Sequence, residues 1–321
     1  MDKVKLLEGE SSCASNELAY LDKIVETGSI NEATKQLYLT QPSLSNAIKE
    51  LEEEVGIQLL IRDKLGVSLT EDGREFMIYA RQILDQVQLL ETRYHKNTSR
   101  KQTFSVSAQH YAFVVHAFVE LLKSVDSKEY QFTLRETETQ NILDDLAKFK
   151  SELGILYLND FNRKVLLKLF KENDLIFTPL FVATPHVFVS RYNPLSEKKI
   201  ITLEDLEDYP YLSYEQGENN SFYFAEEILS TTSHHKSIKV SDRATIFNLM
   251  VGLNGYTISS GIISSELNDD KIIAIPLDVD DSMTLGYLRH RQVQLSRTAN
   301  HYLELLKQHI RDYGFEIIDE K

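Results

Sequence analysis

The chain has 321 residues, of which 35 are basic and 49 acidic, for a net charge of -14; 42% are hydrophobic and 26% charged. That is the composition of a folded globular chain long enough for two domains, and it excludes a collagen-like or disordered polymer and a small stapled scaffold. It also excludes general coating of nucleic acid or anionic membrane, so any DNA contact must come from a local patch. A single cysteine, Cys13, allows neither an internal disulfide nor a thiolate metal site, as in a reducing cytoplasm. Residues 1–15 lack the apolar run of a signal peptide and read as a disordered extension or tag remnant. No uninterrupted apolar run of about 18 residues occurs, so membrane spanning is not expected.

From Asn16, Leu18, Leu21, Ile24 and Val25 recur at helical spacing until Thr27-Gly28 breaks the helix. Ser29-Ile30-Asn31-Glu32 reads as a capping box for a short helix that turns Ala33 and Leu37 inward and ends near Tyr38. Thr40 caps a third helix with Pro42 in its first turn and an apolar stripe of Leu44, Ala47, Ile48 and Leu51. Its other face carries Gln41, Ser43, Ser45, Asn46 and Lys49, residue types that pair with base edges or phosphates in a major groove. From spacing alone, an ordinary helical hairpin with a solvated polar face is the alternative. Ile57–Arg62 and Val67–Leu69 read as two strands of a wing, with Arg62 and Lys64 as its cations. Thr70-Glu71-Asp72 then starts a long helix in which Phe76, Ala80, Ile83, Val87, Leu90 and Tyr94 form a heptad-like seam for dimerisation. A lone amphipathic helix lying on its own domain is the competing reading.

After Gln102 strands and amphipathic helices alternate, the mark of an α/β fold with largely parallel sheets. Strands are expected at Phe104–Ser107, Phe132–Arg135 and Gly154–Leu158, with helices at Tyr111–Lys123 and Gln140–Lys150. Leu175–Val182 should cross into a second half containing Val187–Ser190, Tyr211–Tyr214, a helix from Phe222, a strand near Ile238 and a helix from Arg243. Thr284–His290 and the helix Arg297–Tyr313 return to the first half. Two such halves place a ligand cleft between the carboxyl ends of their strands. Ser107, Gln109 and His110, in the turn before the first helix, are candidate effector contacts, since a helix N-terminus attracts an anion. Tyr214, Asn219, Asn220, Arg243 and Thr245 offer the opposing wall, with polar capping of helices as the plainer role. Catalysis finds no foothold: there is no Gly-rich phosphate loop, GxSxG or HExxH motif, and the nine His are scattered. The neighbours Glu226-Glu227 and Asp280-Asp281 are expected to be solvated, and His234-His235 to lie in a surface turn.

The run GSINEATKQLYLTQPSLSNAIKELEEEVGIQLLIRDKLGVSLTEDG, Gly28 to Gly73, resembles the winged helix-turn-helix of LysR-type transcriptional regulators. The likeness extends more diffusely to Tyr313, through segments such as Val187–Tyr214 and Val240–Ile258. It implies an α/β chain with an all-α winged helix-turn-helix N-terminal domain and a periplasmic-binding-protein-like effector domain of two subdomains. The expected boundaries are 16–72 for the DNA-binding domain, 73–97 for the linker helix and 98–321 for the effector domain. Within the last, subdomain I takes about 103–177 and 284–313, and subdomain II about 178–283. The implied partners are double-stranded operator DNA, a small anionic effector such as an amino-acid derivative or sulfate, and further copies in a homodimer or homotetramer; no cofactor, metal or membrane is implied. QHYAFVV after the first strand is similar to regulators of sulfur amino-acid metabolism in low-GC Gram-positive bacteria. The sequence departs from the family at Asn46, where a basic residue is common, and at Gly66-Val67, where a second wing Arg is common. With 12 basic against 17 acidic residues among the first hundred, attraction to the DNA backbone per subunit is weak. A solute-binding receptor without DNA activity is the alternative that the C-terminal two-thirds suggests.

Overall fold

The computed structural model describes residues 15–63, 66–94, 101–127, 129–218, 221–263 and 271–318, and the chain divides into two units, Met1–Arg100 and Lys101–Lys321. In the first unit, α1 (Ser15–Thr27), α2 (Ile30–Leu37) and α3 (Gln41–Val55) each turn an apolar stripe inward. Leu18, Leu21, Ile24, Ala33, Leu44, Ile48 and Leu51 meet in one core. Tyr38, in the left-handed region at φ 56, ends α2, and the Thr40 side chain accepts the Ser43 N–H to start α3. The capping box at Ser29 is only half made. Ser29 accepts the Glu32 N–H, but its own N–H goes to Thr27 Oγ1 at 3.4 Å, and the Glu32 carboxylate pairs with Lys35 at 3.1 Å.

The wing strands are β1 (Leu60–Asp63) and β2 (Gly66–Leu69), paired antiparallel, so the N-terminal domain carries a two-stranded sheet beside its helices. The first strand starts three residues later than the sequence pattern suggests. Gly56 ends α3 in the left-handed region at φ 74, and Glu52 then captures the N–H groups of Leu59 and Leu60 at 2.7 and 3.0 Å. The wing is tied to the α1–α2 turn by Val67 N–H to Gly28 O at 3.0 Å. Helix α4 (Glu71–Tyr94) follows, and Thr70 Oγ1 accepts the Gly73 N–H at 2.8 Å at its start. Met77 and Ala80 are buried in the domain's own core, with Phe76 and Leu84 packed against it.

The second unit holds two five-stranded sheets. The first comprises β3 (Gln102–Ala108), β4 (Tyr130–Glu136), β5 (Leu153–Leu158), β6 (Leu175–Ala183) and β12 (Met283–His290), in the order β4-β3-β5-β12-β6. Helices α5 (Ala112–Ser124), α6 (Thr139–Ala147), α7 (Arg163–Glu172) and α9 (Arg297–Asp312) accompany it. The second sheet comprises β7 (His186–Ser190), β8 (Tyr211–Tyr214), β9 (Ser237–Val240), β10 (Tyr256–Ser259) and β11 (Ile272–Pro276), in the order β11-β7-β10-β8-β9, with α8 (Arg243–Leu253).

Both sheets are mixed rather than largely parallel, because β12 runs antiparallel to β5 and β6, and β7 antiparallel to β10 and β11. Strand β6 stays in the first sheet to Ala183, so the chain changes subdomain at Thr184-Pro185, not near 177. The return crossing lies between Leu277 and Met283, and the two crossings touch where Leu277 N–H bonds Pro185 O at 3.0 Å. The helix expected from Phe222 is a single 3-10 turn, Phe222–Phe224. Helix α7 and strands β10 and β11 fall on segments for which no element is predicted from sequence.

Candidate functional site

Two surfaces carry the candidate residues. On α3, Gln41, Ser43, Asn46 and Lys49 are exposed and Ser45 is half-buried, while Leu44, Ile48 and Leu51 on the opposite stripe are fully buried. Thr40 is exposed at the N-cap, its hydroxyl 2.8 Å from Ser43 Oγ. Arg62 stands exposed on β1, whereas Lys64 lies outside the described residues. Lys49 pairs with Glu53 at 3.3 Å on the exposed helix face. Tyr38, not singled out from sequence, is 95% exposed in the turn between α2 and α3. Along α4, Ile83 and Leu90 are 50% and 60% exposed, Val87 is half-buried, and the Tyr94 side chain lies outside the description. Phe76, by contrast, packs against its own domain.

In the second unit the turn after β3 does not present the three residues alike. Ser107 is buried, its hydroxyl 2.7 Å from both Asp145 Oδ2 and Ser151 Oγ. Gln109 is buried too: its amide donates to Thr139 Oγ1 at 2.7 Å, and its carbonyl accepts Tyr111 OH at 2.9 Å and Tyr157 N–H at 3.2 Å. Both side chains are spent within subdomain I, so they brace the turn and leave no polar atom for a ligand. His110 alone reaches the other subdomain. Its main-chain N–H donates to Glu226 Oε2 at 2.8 Å, Nδ1 lies 2.9 Å from the same oxygen, and the ring stacks on Tyr214 at 3.9 Å between centroids.

The opposing wall is likewise divided. Arg243 reaches Glu136 at 3.3 Å, whereas Thr245 is absorbed in capping α8, bonded to Asp242 through both its N–H and hydroxyl. Asn219 and Asn220 lie outside the described residues. Glu226 and Glu227 are not solvated: they are 4% and 2% exposed. The strap between β8 and β9 carries them onto subdomain I, where Thr139 Oγ1 donates to Phe224 O at 2.8 Å and Tyr157 OH to Glu227 O at 3.2 Å. Gln216 links both sides, accepting the Thr139 N–H at 3.0 Å and donating to Glu226 Oε1 at 3.1 Å.

Two ion pairs of opposite polarity thus cross the cleft. Subdomain I supplies His110 to Glu226, an ion pair when the imidazole is protonated, and the anion Glu136 to Arg243. Sliding the halves would bring like charges together, so the arrangement fixes register as well as closure. Burial alone would lower the His110 imidazolium, but the hydrogen bond and charge of Glu226, with Glu136 beside it, outweigh burial and raise it. Burial and the charge of Glu226 push Glu227 up to about 8, so it holds a proton at neutral pH while accepting the Tyr214 N–H at 2.9 Å. The cavity left beside His110, Tyr214 and Arg243 is only about 20 Å³, space for one water. A second cavity of about 170 Å³ lies within subdomain II beside Tyr209 and His234, the latter stacked on Tyr211 at 3.9 Å and partly buried there. Among the described residues no group of three or more His, Cys, Asp or Glu is arranged to hold a metal, and no helix is long and apolar enough to cross a membrane.

Residues 15–74 match the family model described as a bacterial regulatory helix-turn-helix protein of the lysR family, and residues 114–311 match that of the LysR substrate binding domain. The uncharacterized HTH-type transcriptional regulator YbhD of Escherichia coli is 24% identical over 88% of this chain and 87% of its own. The Hca operon transcriptional activator HcaR of the same species is 26% identical over 81% of this chain and 86% of its own. A solved mutant of Corynebacterium glutamicum OxyR covers 95% of each chain at 17% identity with a TM-score of 0.53, a likeness of fold.

Proposed function

This chain belongs to the LysR family of bacterial DNA-binding transcriptional regulators, and we propose that it reads an operator with the exposed N-terminal half of α3 under control of a small anion bound between its two subdomains. Gln41, Ser43 and Asn46 read base edges; Thr40, Ser45, Lys49, Arg62 and Lys64 hold the backbone. Copies pair through the exposed apolar residues of α4 and assemble further into a tetramer in the cytoplasm. Effector binding favours one arrangement of the subdomains and so changes the spacing of the DNA-binding heads. The observation that carries this reading is the division of α3 into an apolar stripe with Leu44, Ile48 and Leu51 fully buried and a polar face with Gln41, Ser43, Asn46 and Lys49 exposed, at a capped helix start. The effector is a small anionic metabolite, with amino-acid derivatives and sulfate as the first compounds to screen. No catalytic step is assigned.

Recovery of bound genomic fragments, followed by a mobility-shift assay on them, tests the DNA reading. A protein that retards specific and random fragments equally would be no operator reader. The genes beside the recovered fragments test the likeness to regulators of sulfur amino-acid metabolism.

A further inference from the structure

The turn before α5 is where the reading above places an anion, and it already holds one. Glu226 Oε2 accepts the His110 main-chain N–H at 2.8 Å and lies 2.9 Å from Nδ1; Oε1 accepts the Gln216 amide at 3.1 Å. The donors address two oxygens of one planar group, the shape of a carboxylate. The carboxylate belongs to the chain itself, delivered by the strap that also seats Phe224 against the core of subdomain I and stacks Tyr223 on Phe161 at 4.7 Å.

An independent sign of a ligand lies on the neighbouring wall. Thr257 is 5% exposed, yet its hydroxyl has no hydrogen-bond partner among the described residues, and it lines the cavity next to His110 and Arg243. A buried hydroxyl left unpaired costs free energy that a ligand can recover. Phe188, Ile246 and Ile262 complete an apolar lining there.

We propose that Glu226 is a tethered stand-in for the effector's carboxylate: the seat made by His110 and Gln216 takes a short carboxylic acid with a small apolar body and one hydrogen-bonding group for Thr257, and that acid enters by displacing Glu226. The proposal rests on the cleft being the effector site. Because Glu226 is held at high effective concentration, a free carboxylate competes poorly until the strap lifts. Displacement exchanges the His110–Glu226 link between subdomains for a ligand-borne one, so the strap reports occupancy.

Sodium acetate is the probe. In E226A the residue keeps its Cβ, and acetate supplies the missing methylene position and carboxylate. Thermal unfolding should show a lowered midpoint for E226A that acetate restores saturably, with sodium chloride and sulfate at equal ionic strength giving no such recovery. The parent should need at least about tenfold more acetate for any shift. E226Q keeps the side-chain volume and folds with the seat filled by a weaker, neutral occupant, so its apparent acetate affinity should fall between those of the other two. Equal responses of parent, E226Q and E226A to acetate, or recovery by sulfate as strong as by acetate, would overturn the assignment. Operator retardation by the same preparations separates the two readings. Intact retardation without acetate recovery removes only the role of Glu226, whereas recovery without retardation removes the regulator reading and leaves the seat.

Discussion

Glu227 keeps its proton where an exposed carboxylate would lose it, because burial and the charge of Glu226 push it from its ordinary 4.5 up to about 8. The folded chain therefore binds a proton that the unfolded chain releases between these values. Its contribution to stability is fully present below about pH 4.5 and is lost as pH rises through 8. His110 and Glu136, both raised, act in the same direction. His309 acts in the other: burial, with the charge of His116, lowers it from 6.5 to about 4, so its contribution fades as pH falls through that range. Glu227→Gln should flatten the decline of the melting midpoint between pH 5 and 8.5; an unchanged slope would assign the decline to other groups. Ser107 and Gln109, spent inside subdomain I, set up a second test. Ser107→Ala with Gln109→Ala strands several buried partners, so denaturant unfolding should show a loss of about 1–3 kcal/mol for each residue. A loss of effector response at full stability would return these two residues to the cleft. His110, Tyr214 and Arg243 were legible as cleft residues because each stands at the carboxyl end of a strand or at the helix start beyond it. Glu226 and Glu227 were not, since adjacent acids in a chain of net charge -14 look solvated, and only the strap's path shows what buries them.

Among the elements, α4 presents two faces that the sequence merges into one. The heptad-like spacing joins Phe76 and Ala80 to Ile83, Val87 and Leu90, but the first two pack on their own domain and Ile83 and Leu90 project outward. Val87→Lys with Leu90→Lys would place like charges inside a helix-to-helix contact, and light scattering should then report a smaller oligomer. An unchanged mass would mean that α4 does not pair copies. The wing offers a separate measurement. Gly66 has φ +135, and a Cβ there would sit 2.8 Å from Gly28 O, the acceptor that anchors Val67. Gly66→Ala is strained on both counts and should cost about 1–3 kcal/mol while loosening operator binding; full stability would show that the α1–α2 turn can yield. Elements with a clear period were readable, from α1 through α5 to α9. Helix α7 buries only Leu166 and Phe170, β10 has no alternation, with Tyr256, Thr257 and Ile258 all buried, and β11 is buried at Ile272 and Ile275, out of step with a two-residue period. The helix expected from Phe222 is a 3-10 turn whose Tyr223 stacks on Phe161 and whose Phe224 packs against the core of subdomain I.

For the whole molecule, charge sets the conditions under which DNA can be held. With 12 cations against 17 anions in the first hundred residues, net charge offers phosphates little attraction per subunit, and the proposed reading therefore rests discrimination on base contacts from α3. Ser43→Ala or Asn46→Ala should reduce the preference for operator over random DNA, each base contact being worth about 1–3 kcal/mol. Lys64→Ala should weaken both about equally and make the salt dependence shallower. Identical losses of preference in all three would mean that α3 is not the reading element. The two crossings between the subdomains carry a different consequence. Joined by the hydrogen bond from Leu277 to Pro185, they form a two-ply ribbon. Such a ribbon resists twist and slip and yields to flexing about the line through both plies. The gape of the cleft is then a single soft coordinate, and whatever the cleft holds, its own strap or a visiting acid, sets the one angle between the two subdomains.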